Sequence, residues 1–159
     1  MRNSHKYSHP EIERRWLVGK GSVVEPSTTR TRYIEDRYIL NTHLRLRTVR
    51  EHGAKTIFKL GKKYETDSPG VQHVVSTYLS QEDYEVLASL PALVARKQRH
   101  SVAGGSLDEY EVPRQGLRVF EIEFNDQAAS LAYEPPAFVG EEITGNAQFT
   151  GFALASSAA

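Results

Sequence analysis

Eleven charged residues fall where strands are expected, in same-face sets two apart. Glu11, Glu13 and Arg15 lie in EIERRWLV, Arg45 and Arg47 in HLRLRTV, and Lys59 in TIFKL. Lys97 and Arg99 follow in RKQRH, Asp108 in LDEYEV, and Glu121 and Glu123 in VFEIEF. Successive side chains of a strand point to opposite faces, so residues i and i+2 share one. Two chemistries follow from the residue types. Hard cations such as Mg²⁺ take oxygen ligands, and Glu11, Glu13, Glu121 and Glu123 would supply them if their strands are neighbours, with Asp108 as a fifth. Arg15, Arg45, Arg47, Lys59, Lys97 and Arg99 suit phosphate: arginine as a planar fork, lysine as a compact point charge. Six converging cations repel one another unless a polyanion or opposing carboxylates answer them. The competing reading is a set of solvated strand faces joined by surface ion pairs, each contributing about 0–1 kcal/mol. Only a closed sheet, with these residues pointing into its lumen, separates the two.

The elements that must position these residues alternate apolar and polar positions. Strands are expected over residues 10–19, YIEDRYIL, HLRLRTVR, KTIFKLG, QHVVSTYL, ALVARKQRHSV, LDEYEV and GLRVFEIEF, the fourth ending at Gly61. KKYETDSPG then reads as a loop and AGGS as a tight turn. Ser80 with Asp83 approximates a capping box, and Tyr84, Leu87 and Leu90 recur at helical spacing before Pro91. A second short helix starts at Asn125 or Asp126 and stops at Pro135-Pro136. The C-terminal segment holds one short edge strand and a terminal helix or coil. Residues 1–9 read as a polar tail, with His5 and His9 as tail histidines, and 10–159 as a single domain. Seven or eight strands with a few helices predict an α+β fold with a dominant antiparallel sheet closed into a barrel.

Bulk properties narrow the function classes. The chain has 159 residues, no net charge and no cysteine, which leaves no thiolate metal site and no cysteine nucleophile. Neutral charge advertises neither nucleic acid nor an anionic membrane. No apolar run approaches the roughly 20 residues of a membrane span, so a cytoplasmic protein, monomer or homodimer, is expected. GxxxxGK[ST], GxGxxG, HExxH and GxSxG motifs are absent. Phosphate chemistry would therefore rest on side-chain cations and metal, not on a glycine cradle.

EIERRWLV resembles the ExExK signature of the CYTH superfamily, the triphosphate tunnel metalloenzymes, with Arg15 in the usual lysine place. The likeness continues in order. DRYIL and LRLR resemble the next two strands, with Arg45 and Arg47 on the paired arginines. TIFKLG places Lys59 on the TIKG lysine, and RKQRH places Lys97 and Arg99. DEYEVPRQGLRVFEIEF spaces Asp108, Glu121 and Glu123 as the family does, and GEEITGNAQF puts Glu142 on the glutamate of a late GxEVT segment. The resemblance implies an eight-stranded antiparallel tunnel with a basic half for triphosphate and an acidic half for Mg²⁺ or Mn²⁺. It implies metal-dependent hydrolysis of a triphosphate; the shortness of the chain, with little sequence to build a base or thiamine pocket, puts inorganic triphosphate first. The alternatives are a thiamine or nucleoside triphosphatase, an adenylate cyclase, and a polyphosphate- or nucleotide-binding module without turnover. Arg15 would clamp phosphate, because guanidinium does not give up its proton, and Tyr38 would be a proton shuttle. Two departures stand out. Val75 and Thr77 fall near the places of an ExE pair that many members carry. A short C-terminus ending in small residues would hold any tunnel-closing helix weakly.

Overall fold

A computed structural model describes residues 6–64 and 66–156. Strand alternation builds nine strands: β1 (His9–Val18), β2 (Thr31–Ile39), β3 (Leu44–Glu51), β4 (Ile57–Tyr64), β5 (Val71–Leu79), β6 (Ala92–Val102), β7 (Gly105–Val112), β8 (Arg118–Phe124) and β9 (Val139–Glu142). Helix α1 (Gln81–Ala88) joins β5 to β6 and α2 (Gln127–Ala132) follows β8. A 3-10 turn, Ala147–Phe149, leads into α3 (Gly151–Ser156). The ladder runs β5-β4-β3-β2-β6-β7-β8-β1, and β5 pairs back onto β1, so eight antiparallel strands close into a barrel. β9 is a ninth strand laid on β1 outside that ring.

Local chemistry explains the element ends. The Ser80 side chain accepts from the Asp83 N–H and the Asp126 side chain from the Ala129 N–H, satisfying orphan donors of α1 and α2. Ala103 and Gly104 both take positive φ, the geometry of a two-residue hairpin turn between β6 and β7. The tail expected over residues 1–9 ends sooner, because His9 already pairs with Val74; His5 lies outside the described residues.

One edge of β1 is shared by four partners in succession. β5 pairs with His9–Ile12, the Glu13 N–H donates to the Gly70 carbonyl at 2.9 Å, the Arg15 N–H donates to Thr144 Oγ1 at 3.0 Å, and β9 takes Trp16 and Val18. Gly70 has φ of +75°, and a Cβ there would sit 2.8 Å from the Glu13 carbonyl oxygen, so only glycine serves.

Two apolar clusters flank the wall. Outside, Trp16, Val18, Val102, Leu107 and Phe120 pack beneath Tyr133 and Phe138, with the Trp16 and Tyr133 ring centroids 5.9 Å apart. Inside, at the end where β1, β2 and β7 finish, Leu17, Tyr110 and Val119 meet Ile143, Phe149 and Leu154. Helix α3 is thus a plug. Leu154 is fully buried and Ala155 nearly so, and Gly151 lies so close to the Tyr38 hydroxyl that no side chain fits there. The small residues expected to loosen this helix are what let it approach the wall. Because Leu154 leaves a cavity that a one-turn helix cannot refill, Leu154→Ala should cost about 2–4 kcal/mol, read as a lower urea midpoint with unchanged m-value.

Candidate active site in the barrel lumen

Antiparallel partners face the same way, so the register sorts the charged residues. Glu13 lies opposite Glu123, Arg15 opposite Glu121, Arg47 opposite both Asp36 and Lys59, and Arg99 opposite Asp108. The apolar residues between them, Trp16, Leu107 and Phe120, belong to the outer cluster. All eleven residues singled out from the sequence therefore line the lumen. Cations concentrate on β3, β4 and β6, and carboxylates on β7, β8 and β1.

Two buried carboxylates organise the cations. Asp36, 2% exposed, accepts from Arg47 Nε at 2.6 Å and Nη2 at 2.8 Å. Burial alone would push Asp36 up; Arg47, with Arg45 and Lys97, overrides it and holds the group well below the usual carboxylate range. Asp108, fully buried, accepts from Lys97 Nζ at 2.6 Å and from Arg99 Nε and Nη2 at 2.6 and 2.7 Å. It too is held low against its burial, by Lys97 and Arg99. Glu121 bridges onward, 3.2 Å from Arg99 Nη2 and 3.4 Å from Arg15 Nε. Asp108 was expected among the metal ligands; its two oxygens instead serve the cations.

Two cations are answered least. Arg45 Nε is buried without a hydrogen-bond acceptor, and its nearest carboxylate oxygen, Asp36 Oδ1, is 3.6 Å away. Lys59 Nζ makes no ion pair among the described residues and lies 5.0 Å from the Tyr78 ring centroid. On the opposite side three carboxylates crowd. Burial first, then Glu121, raises Glu13 above its ordinary value, against Lys63 and Arg15. Burial, Glu11 and Glu121 do the same to Glu123. Like charges directly opposite across a ladder repel, so this face gains from a cation, and Glu11, Glu13 and Glu123 fit an oxygen-seeking divalent one. Among the described residues no three such groups converge into a ready-made cage.

Arg15 and Tyr38 sit toward the plugged end. Arg15 Nη1 donates to the Phe149 carbonyl at 2.8 Å, and Tyr38 packs edge-on against Phe152 at 6.0 Å. Burial and Asp36 push the Tyr38 hydroxyl up to about 12, so at neutral pH it is a proton donor.

The sequence reading missed Asp36 and Lys63. Asp36 follows Glu35, and neither of two adjacent acids declares its face; the register sends Glu35 outward to Arg96 and Asp36 inward. In the sequence Gly61 reads as a strand end and Lys63 as loop, but β4 continues to Tyr64, and Lys63 Nζ lies 3.0 Å from Glu11 Oε2. Val75 and Thr77 are on the outer face, since Lys59, Gly61 and Lys63 pair with Tyr78, Ser76 and Val74. Glu142, mapped to a family glutamate, is also outside, where it takes a bidentate contact from Arg14 at 2.9 and 2.8 Å and fastens β9 to β1.

No family model matches the chain, and no curated protein does. Solved structures do. The crystal structure of the hypothetical protein NE1496 superposes with a TM-score of 0.60 at 22% identity, over 94% of this chain and 99% of that one. The crystal structure of the inorganic triphosphatase NE1496 gives 0.58 at 22% identity, over 92% and 95%. The chain shares their fold across nearly its whole length.

Breaking the Asp36 pair leaves Arg47 buried and unanswered, so Asp36→Asn should lose about 3–5 kcal/mol at pH 7. The sign with pH is fixed by the depressed carboxyl. Its stabilisation is complete above the unfolded value, about 3.9, and is lost as pH falls toward the native one. Denaturant unfolding of both proteins should show the gap shrinking below about pH 4; a gap that stays constant would remove Asp36 from this role.

Proposed function

We propose that the chain hydrolyses a phosphoanhydride bond of a triphosphate inside the barrel, with inorganic triphosphate as the first substrate and Mg²⁺ or Mn²⁺ as cofactor. The observation that carries this reading is a pair of weakly answered inner-wall cations: Arg45, whose buried Nε has no hydrogen-bond acceptor and shares Asp36 with Arg47 at 3.6 Å, and Lys59, which makes no ion pair among the described residues. An inner-wall guanidinium with a buried, unpaired N–H calls for an anionic acceptor. The cations around it are spread over three strands, which suits a chain of phosphates better than a single carboxylate. The fold shared with NE1496, an inorganic triphosphatase, supports the same reading, as does the likeness to triphosphate tunnel metalloenzymes in the order of motifs.

Arg45 and Lys59 would take the phosphate oxygens first. Arg47, Lys97 and Arg99, already oriented by Asp36 and Asp108, would add charge neutralisation without reorganising. Water attacks the terminal phosphorus, the bridging P–O bond breaks, and pyrophosphate leaves with the negative charge that these cations neutralise. Arg15, which keeps its proton, would clamp phosphate near the plugged end, and the Tyr38 hydroxyl would donate to an oxygen there. Glu11, Glu13 and Glu123 would hold the divalent cation, which when bound supplies charge neutralisation and polarises the attacking water.

Phosphate release from inorganic triphosphate, ATP and thiamine triphosphate, each with Mg²⁺ and with Mn²⁺, tests the reading. Inorganic triphosphate should be turned over fastest, and Arg45→Ala or Lys59→Ala should lower kcat/KM by about 10²-fold. Silence on all three substrates with both metals would end the triphosphatase proposal. Thermal stabilisation by triphosphate with no phosphate released would make the barrel a binding module.

A further inference from the structure

Lys63 belongs to β4, yet its ammonium sits on the acids of β1. β5 separates the two strands, and the residues it turns toward the lumen there are Gln72 and Val74, opposite Glu11 and Lys63 respectively. Neither Gln72 nor Val74 carries a charge, so no lumen-facing group of β5 there competes with the lysine for these acids. The ammonium lies 3.0 Å from Glu11 Oε2 and 4.0 Å from Glu13 Oε1. Among the described residues no other cation is within ion-pair range of either carboxylate. The group it serves is under-neutralised, because Glu13 also faces Glu123 directly across the β1–β8 ladder. Within ion-pair range one ammonium thus serves both Glu11 and Glu13, with Glu123 beside them, where a divalent ion would bring two charges in the same space.

A lysine ammonium is a compact charge on a flexible four-carbon stem, able to leave without dragging the backbone. Lys63 and its acid partner Glu11 are each about a third exposed, so the contact is soft, unlike the Lys97–Asp108 pair at 7% and 0%. Departure has a destination. Lys59 lies on the same face of β4 four residues away, with only Gly61 between them on that face. On that face Gly61 has no side chain to block an ammonium released from Glu11 from turning toward the Lys59 side of the wall.

We propose that Lys63 is a tethered counter-ion that occupies the acidic face in place of the divalent cation and must be displaced for that cation to bind. Lys63 thereby lowers cation affinity in the free protein and, once displaced, adds a positive charge to the phosphate side. The inference rests on the proposed assignment of Glu11 and Glu13 to a divalent cation and is independent of which triphosphate is used.

Mn²⁺ binding to the whole chain, followed by the loss of the free-Mn²⁺ electron paramagnetic resonance signal in the absence of any phosphate, tests it. Lys63→Met should bind Mn²⁺ about fivefold more tightly than the unmodified protein, the ratio expected when a partly exposed ion pair no longer competes. Lys63→Arg, which keeps the charge, should bind no more tightly. A Lys63→Met protein that binds Mn²⁺ equally or more weakly overturns the proposal. A second measurement needs no loss of charge. After reductive ¹³C-methylation of lysines, the resonance missing from the Lys63→Arg spectrum should shift as Mg²⁺ saturates the site; a resonance that does not move overturns displacement. Absence of Mn²⁺ binding in every variant would remove this proposal and the cation assignment together. Tighter binding by Lys63→Met without phosphate release from any triphosphate would leave the counter-ion standing and remove the triphosphatase reading alone.

Discussion

The lumen can exist because Asp36 and Asp108 are buried where cations would otherwise repel. Each carboxylate has both oxygens committed to guanidinium or ammonium donors at 2.6–2.8 Å. Such pairs are weak evidence of net stability, since desolvation offsets most of the attraction. Their effect is on geometry. A bidentate fork fixes Arg47 on Asp36 and Arg99 on Asp108, so these cations are aimed before any ligand arrives. The same commitment removes Asp108 from the set that could bind a metal. The barrel therefore divides its carboxylates: Asp36, Asp108 and Glu121 hold arginines, whereas among the described residues Glu11 and Glu13 are ion-paired to Lys63 alone.

Closure of the sheet turns this arrangement from a surface into a site. On an open sheet the alternating charges would be solvated, and their pairing would matter little. The β1–β5 ladder is only four residues long, and the rest of that β1 edge is completed by Gly70, Thr144 and β9. A ring closed by so short a ladder depends on the loop at Gly70 and on the C-terminal segment as much as on β5. The elements least regular in sequence thus fix the position of Glu13, the carboxylate with like charges on both sides.

How much of this was legible is clear from particular residues. The alternation in EIERRW, LRLR and FEIEF carried the inner and outer faces correctly, because a period of two leaves no choice once one apolar face is known. Where the pattern broke, so did the reading. Gly61 resembles a strand end, yet it is an interior residue whose missing side chain lies beneath Arg45, and the false boundary hid Lys63. QHVVSTYL has apolar residues at adjacent positions, so its register was open by one residue; pairing with β4 sends Val74, Ser76 and Tyr78 inward instead of Val75 and Thr77. Asp36 was lost beside Glu35 for the same reason. These errors concern parity, which only a partner strand decides.

The C-terminal helix was the other misjudgement, and it bears on chemistry. A weak plug would leave a bore open at both ends, with water free to pass along it. Leu154 and Ile143 instead seal one end against Tyr110 and Val119, and the Phe149 carbonyl holds Arg15 just inside that seal. Charges near a closed apolar end interact more strongly than the same charges in an open channel, because less water screens them. The raised Tyr38 value follows from burial beside that end, with Asp36 adding to it. An anion entering such a cup would exchange its own hydration for donors already oriented.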